Sequence, residues 1–235
     1  MGHLQYFPLS PPFFFMLVVL FVMLLAVVQL HILGYAYERI GIRPQYIFSI
    51  LLGSLLGSYI NIPVAEIGGE RIVGGQEIIF YGMSYVIPVV REGSETVIAV
   101  NVGGALIPTV LSVYLLVKHR LYARGLSAIA IVAGVCYALA YPVHGLGIAL
   151  PVFVPPLVTT LVALALSWQK AAPLAYISGS LGTLIGADLL NLGKIRGLGA
   201  PVASIGGSGT FDGIFVTGIL AVLLAGLVAP RASSK

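Results

Sequence analysis

Residues 12–36 read PFFFMLVVLFVMLLAVVQLHILGYA, a run without a single Lys, Arg, Asp or Glu. At 1.5 Å per residue a helix of this length crosses the roughly 30 Å of hydrocarbon in a bilayer. Ser10-Pro11-Pro12 supplies a helix-start signal. No Lys or Arg precedes Arg39, so the basic start of a cleaved secretory signal is missing and the segment reads as a retained first helix.

Working outward, further apolar segments fall near 46–63, 99–117, 121–142, 147–168, 174–192 and 207–229. The whole chain is 59% hydrophobic and 9% charged, with a mean hydropathy of +1.05, which excludes a soluble globular domain. Its 235 residues suit one unit with room for about six to eight crossings. The expectation is an all-α integral membrane protein: a single polytopic domain over residues 1–235 with about seven transmembrane helices.

Charge then sets orientation. Arg39, Arg43, Lys118, Arg120, Arg124, Lys170, Arg231 and Lys235 fall on one side of such a topology, and Arg71, Arg91, Lys194 and Arg196 on the other. The positive-inside rule places the N-terminus outside and the C-terminus in the cytoplasm, in a plasma membrane. The net charge of +4 is explained by these loops and gives no reason to expect nucleic acid. Cys136 sits in an apolar run and reads as a packing residue.

Residues 64–98 form the one long polar connection. Glu77–Tyr81, Tyr85–Val90 and Thr96–Val100 are rich in β-branched and aromatic residues, and Glu92-Gly93-Ser94-Glu95 separates two of the runs. The segment reads as an external β-hairpin-like loop, either a lid or an edge able to pair with an extended peptide.

An internal echo is also present. Leu52-Gly53-Ser54-Leu55-Leu56-Gly57 matches Leu181-Gly182-Thr183-Leu184-Ile185-Gly186, and Ala99-Val100-Asn101-Val102-Gly103-Gly104 resembles Val202-Ala203-Ser204-Ile205-Gly206-Gly207. The arrangement suits either a parallel duplication or small residues that let membrane helices approach closely. Such stripes serve equally within a bundle and between protomers, leaving oligomeric state open.

The chain has two aspartates, Asp188 and Asp212, and both lie in apolar segments. Ionisable groups there are costly and mark function or a buried partner interaction. Each lies about five residues, or about 7 Å, inside the external end of its segment. Neighbouring helices joined by a short connection bring inward-facing carboxylates at that depth together. Like charges in an apolar site then favour sharing one proton, so that one member activates water while the other polarises a carbonyl.

Val100–Pro108, Ile185–Leu192 and Gly207–Gly213 look like the corresponding phrases of an uncharacterised prokaryotic membrane family, a domain of unknown function. That resemblance covers most of the chain and brings no activity with it. Asp188-Leu189 late in one helix, followed by a Gly-rich lead-in to Asp212-Gly213-Ile214-Phe215, resembles the presenilin and signal-peptide-peptidase type of intramembrane aspartyl protease. The resemblance implies that Asp188 and Asp212 are the catalytic pair. Phe211 stands where that type has glycine, Ala187 where it often has tyrosine, and no Pro-Ala-Leu follows Asp212.

Gly186, Asn191, Gly207, Gly209, Thr210, Gly213 and Asn101 are the expected substrate-binding residues, the glycines because they let a substrate backbone approach. A second reading makes the aspartates proton or cation sites of a secondary transporter, with Asn61, Asn101 and Asn191 beside them. A third makes them structural. Gly206-Gly207-Ser208-Gly209 also fits the Gly-x-Ser-Gly pattern of rhomboid serine proteases, but no histidine follows Ser208 and His144 precedes it. His3, His119 and the scattered glutamates show no metal-ligand spacing, so neither metal nor cofactor is expected. The expected partners are membrane lipids and a single-span membrane protein or signal-peptide substrate, with Lys194 and Arg196 placed to hold lipid headgroups.

Overall fold

The structure is a computed structural model and describes residues 11–80, 83–143, 147–195, 202–207 and 213–229. Each expected apolar segment contributes a helix: α1 Pro11–Arg39, α2 Pro44–Gly57, α3 Ile107–Lys118, α4 Tyr122–Leu139, α5 Val154–Leu166, α6 Ala171–Thr183 and α7 Gly213–Val228. Three stretches are long and apolar enough to cross a membrane: Val18–Arg39, Tyr122–Leu139 and Ala171–Lys194, the last being α6 with its continuation. The other apolar helices are shorter, at 10–17 residues.

Proline places several of these starts. Pro44, Pro108 and Pro155 stand in the first turns of α2, α3 and α5, where a missing N–H costs nothing. With Pro151, Pro155 and Pro156 in line, α5 begins at Val154 rather than near 147. Gly147–Ala149 instead forms β4, antiparallel to β3 at Tyr141–Val143.

A three-stranded sheet amends the all-α expectation. β1 (Asn61–Phe80) runs antiparallel to β2 (Met83–Asn101), and β5 (Val202–Ile205) lies parallel to the end of β2, giving the order β1-β2-β5. Glu92–Glu95, expected between strands, lies inside β2, with Glu92 opposite Glu70. Register shifts at Ile67/Gly69 and Val73/Gln76 absorb the glycines as bulges, so the ladder continues through them.

α6 is the central element, packed against α3, α4, α5 and α7. All its residues except Ala172 and Leu181 are buried, the pattern of a helix enclosed on every side. Small residues permit this. A Cβ at Gly182 would lie 2.7 Å from Val132 Cβ, and one at Gly179 would lie 3.3 Å from Gly218 Cα.

The helix ends separate into two chemistries. At one end Lys118 donates to Gly41 O, Lys170 to His119 O (3.0 Å), Arg124 to Ser167 Oγ (3.3 Å) and Arg39 to Gly226 O. Three of these cations satisfy loop and last-turn carbonyls that helix geometry leaves unpaired, and Arg124 meets a hydroxyl. His119 Nε2 meets Ile40 O at 3.1 Å, and burial, reinforced by Lys118 and Lys170, holds its pKa below the ordinary histidine value against that hydrogen bond. Four of the basic residues grouped by sequence therefore gather at one end. The opposite ends of α2, α3, α6 and α7 meet the sheet.

Candidate functional site

Asp188 closes a π-helical turn, Leu184–Asp188, that continues α6 before the chain tightens into a 3-10 segment, Leu189–Lys194. The turn follows from close packing: a Cβ at Gly186 would lie 2.8 Å from both Ala133 Cα and Cys136 Cβ of α4. A π turn widens the backbone and leaves carbonyls without their regular partners, a feature common at functional sites. Asn191, fully buried, fills that need by donating Nδ2 to Gly186 O (2.8 Å) and Ala187 O (3.0 Å). Its Oδ1 is buried without a hydrogen bond among the described residues, an acceptor still open to a donor.

The Asp188 carboxylate is held from across the bundle. Its Oδ2 accepts the Gly206 N–H at 2.7 Å. Gly206 follows β5 and has φ +77°, a conformation that favours glycine. A Cβ there would sit 2.6 Å from Ala105 N. Lys194, six residues beyond Asp188, places its Nζ over the Tyr137 ring, 4.6 Å from the centroid.

Beside this contact lies a polar clamp. Asn61 Oδ1 accepts from Asn101 Nδ2 (3.1 Å) and from Ser204 Oγ (2.6 Å). Asn101 also donates to Ser58 O (2.7 Å), and its Oδ1 accepts Gly104 N–H (2.8 Å), capping the π turn Val102–Leu106 that leads into α3. Asn101 is thus engaged in fixing the junction of α2, β1, β2 and α3. Gly207 stands next to it: a Cβ would lie 3.3 Å from Asn101 Cβ.

Below the clamp, Ile98, Ala105, Leu184, Ile205 and Ile214 form one buried apolar cluster. It ties α6 just before Asp188, β5 just before Gly206 and the first turn of α7 to one point. Gly213 opens α7. Asp212, Gly209 and Thr210 lie outside the described residues, as do Ser208, Arg196 and His144.

A model of proteins of unknown function (DUF1614) matches residues 55–224. The chain belongs to that family. The family region contains every residue of the clamp and both aspartates, and α1 precedes it. Neither the curated proteins nor the solved structures contain a match.

Ser204 and Gly206 were missed as site residues in the sequence reading. For Ser204 the signal is the echo between Ala99–Gly104 and Val202–Gly207: it aligns Asn101 with Ser204, and these two residues converge on Asn61. The strands pair two residues out of that alignment, Val97 with Val202.

Proposed function

We propose that this family member is an intramembrane aspartyl protease with seven spans, its N-terminus outside and its C-terminus cytoplasmic, in which Asp188 and Asp212 share the acid and base roles. The supporting observation is the cluster of Leu184, Ile205 and Ile214. Asp188 lies one turn beyond Leu184. Asp212 lies two residues before Ile214, and two residues of chain reach at most about 7 Å. Asp188 and the first turn of α7 thus share a common anchor, with Asp212 adjoining that turn in the chain.

One shared proton leaves one carboxylate to deprotonate water while the other polarises the scissile carbonyl. The Gly206 N–H donates to Asp188 Oδ2 and so fixes the orientation of that carboxyl group. β5 is an edge strand of its sheet and ends at Ile205, immediately before Gly206. A single-span substrate unwound into an extended strand along that edge would pass its backbone beside Asp188. The open Asn191 Oδ1 is a receptor for one of its N–H groups.

Asp188→Asn and Asp212→Asn are each expected to lower cleavage of a single-span peptide in vesicles by at least about a hundredfold, the scale at which general acid–base groups act. Cleavage retained by either variant would refute the proposal. A transporter built on the same aspartates predicts proton or cation flux and no cleavage products.

A further inference from the structure

The N-terminal helix behaves unlike the others. From Val18 to Ile32 its described side chains are exposed, and contact with the bundle begins only at Leu33. There it is firmly fixed: Ala36, Tyr37 and Ile40 are buried, the Tyr37 and Tyr176 rings lie 6.3 Å apart, and Arg39 binds Gly226 O. Gln29 lies within the apolar span, ten residues before Arg39, and is exposed, with no hydrogen bond among the described residues. At spacings of four and seven it shares a helix face with Leu33 and Ala36, so the face that packs on the bundle below stands open above.

Lipid chains can cover Val22 and Ala26 on that face but offer no donor or acceptor to a carboxamide. An amide left unpaired in hydrocarbon is costly, and membrane helices meet that cost by hydrogen bonding across helices. We propose that α1 is a homodimer interface in which Gln29 of one copy pairs with Gln29 of a second. A carboxamide carries both donor and acceptor and is its own complement. A two-fold axis along the membrane normal places identical residues at identical depth, a condition that another partner meets only with a polar group at the same level. The inference rests on α1 alone and is independent of the aspartates.

The test uses the full chain with Cys136→Ala, reconstituted at low density in phosphatidylcholine vesicles and oxidised after introducing one cysteine at a time. Val22→Cys and Ala26→Cys share the Gln29 face, whereas Leu20→Cys and Leu24→Cys lie opposite. Disulfide-linked dimers are expected from the first two and not from the second two. Adding Gln29→Leu to Ala26→Cys should weaken dimerisation about tenfold, while Gln29→Asn, which keeps the amide, should preserve most of it. Gln29→Leu is an apolar replacement at a lipid-level position, so folding is retained, as an unchanged thermal midpoint will show. Cross-links to another protein, cross-links without helical periodicity, monomers throughout, or indifference to Gln29→Leu would each overturn the proposal.

Discussion

Gly206 meets two demands at one position. Its φ of +77° excludes most L side chains, and the backbone of Gly104 and Ala105 fills the place where a Cβ would stand. Gly206→Ala should cost roughly 1–2 kcal/mol from the left-handed conformation alone, with a further cost from displacement. For a chain of this size that is a fall of about 2–4 °C in thermal midpoint per kcal/mol. Gly34→Ala, where nothing lies within 4 Å of the added carbon, is the control and should not lose stability. Because Gly206 also holds Asp188, cleavage should fall further than the stability loss explains; activity tracking stability alone would separate the turn from the site. Sequence singled out Asp188, Asn191 and the neighbouring glycines, because charge and amide groups stand out in an apolar run. It could not single out Gly206 among 29 glycines, since its distinction is a dihedral angle and a tertiary neighbour.

At the scale of elements, the helices were legible and the irregularities were not. Apolar length announced all of α1 to α7, while proline moved the start of α5. β5 is only Val202–Ile205, too short for a periodic signal, and it exists because β2 offers an edge to pair with. The two π turns arise where helices crowd, at Gly103 against α2 and Gly186 against α4, which no single segment encodes. The buried faces of α5 and α6 also carry hydroxyls of two kinds. Thr159 Oγ1 and Ser180 Oγ are buried without partners among the described residues, whereas Thr160 Oγ1 donates to Pro156 O at 2.7 Å. Thr159→Val and Ser180→Ala should leave the unfolding free energy unchanged or raise it by up to about 1 kcal/mol, read as an unchanged or higher thermal midpoint, because an unsatisfied group is removed. Thr160→Val should lower stability by about the same amount. Losses at 159 and 180 would mean that these hydroxyls hold a buried water or ion, as the transport reading requires.

The molecule as a whole is polarised. Cations bind helix-end carbonyls at one end, and the sheet, both π turns and Asp188 lie at the other. The sorting of basic loops in the sequence anticipated the first end because charge cannot hide in this composition. The second end was only half legible: Asp188 stood out as an ionisable residue in an apolar run, but the clamp joins Asn61 to Ser204, more than a hundred positions away. Under the proposed function Asp188, beyond the end of α6, pairs with Asp212, just ahead of α7. The most direct measurement combines Asp188→Cys with Asp212→Cys in a Cys136→Ala background and treats vesicles with a short thiol-specific bifunctional reagent spanning about 5 Å, within the reach of paired side chains on packed helices. The pairing account predicts near-complete intramolecular cross-linking, with little for Asp188→Cys combined with Val216→Cys, about one turn further along α7. Absence of the cross-link in the first pair, with both thiols reactive, would contradict it.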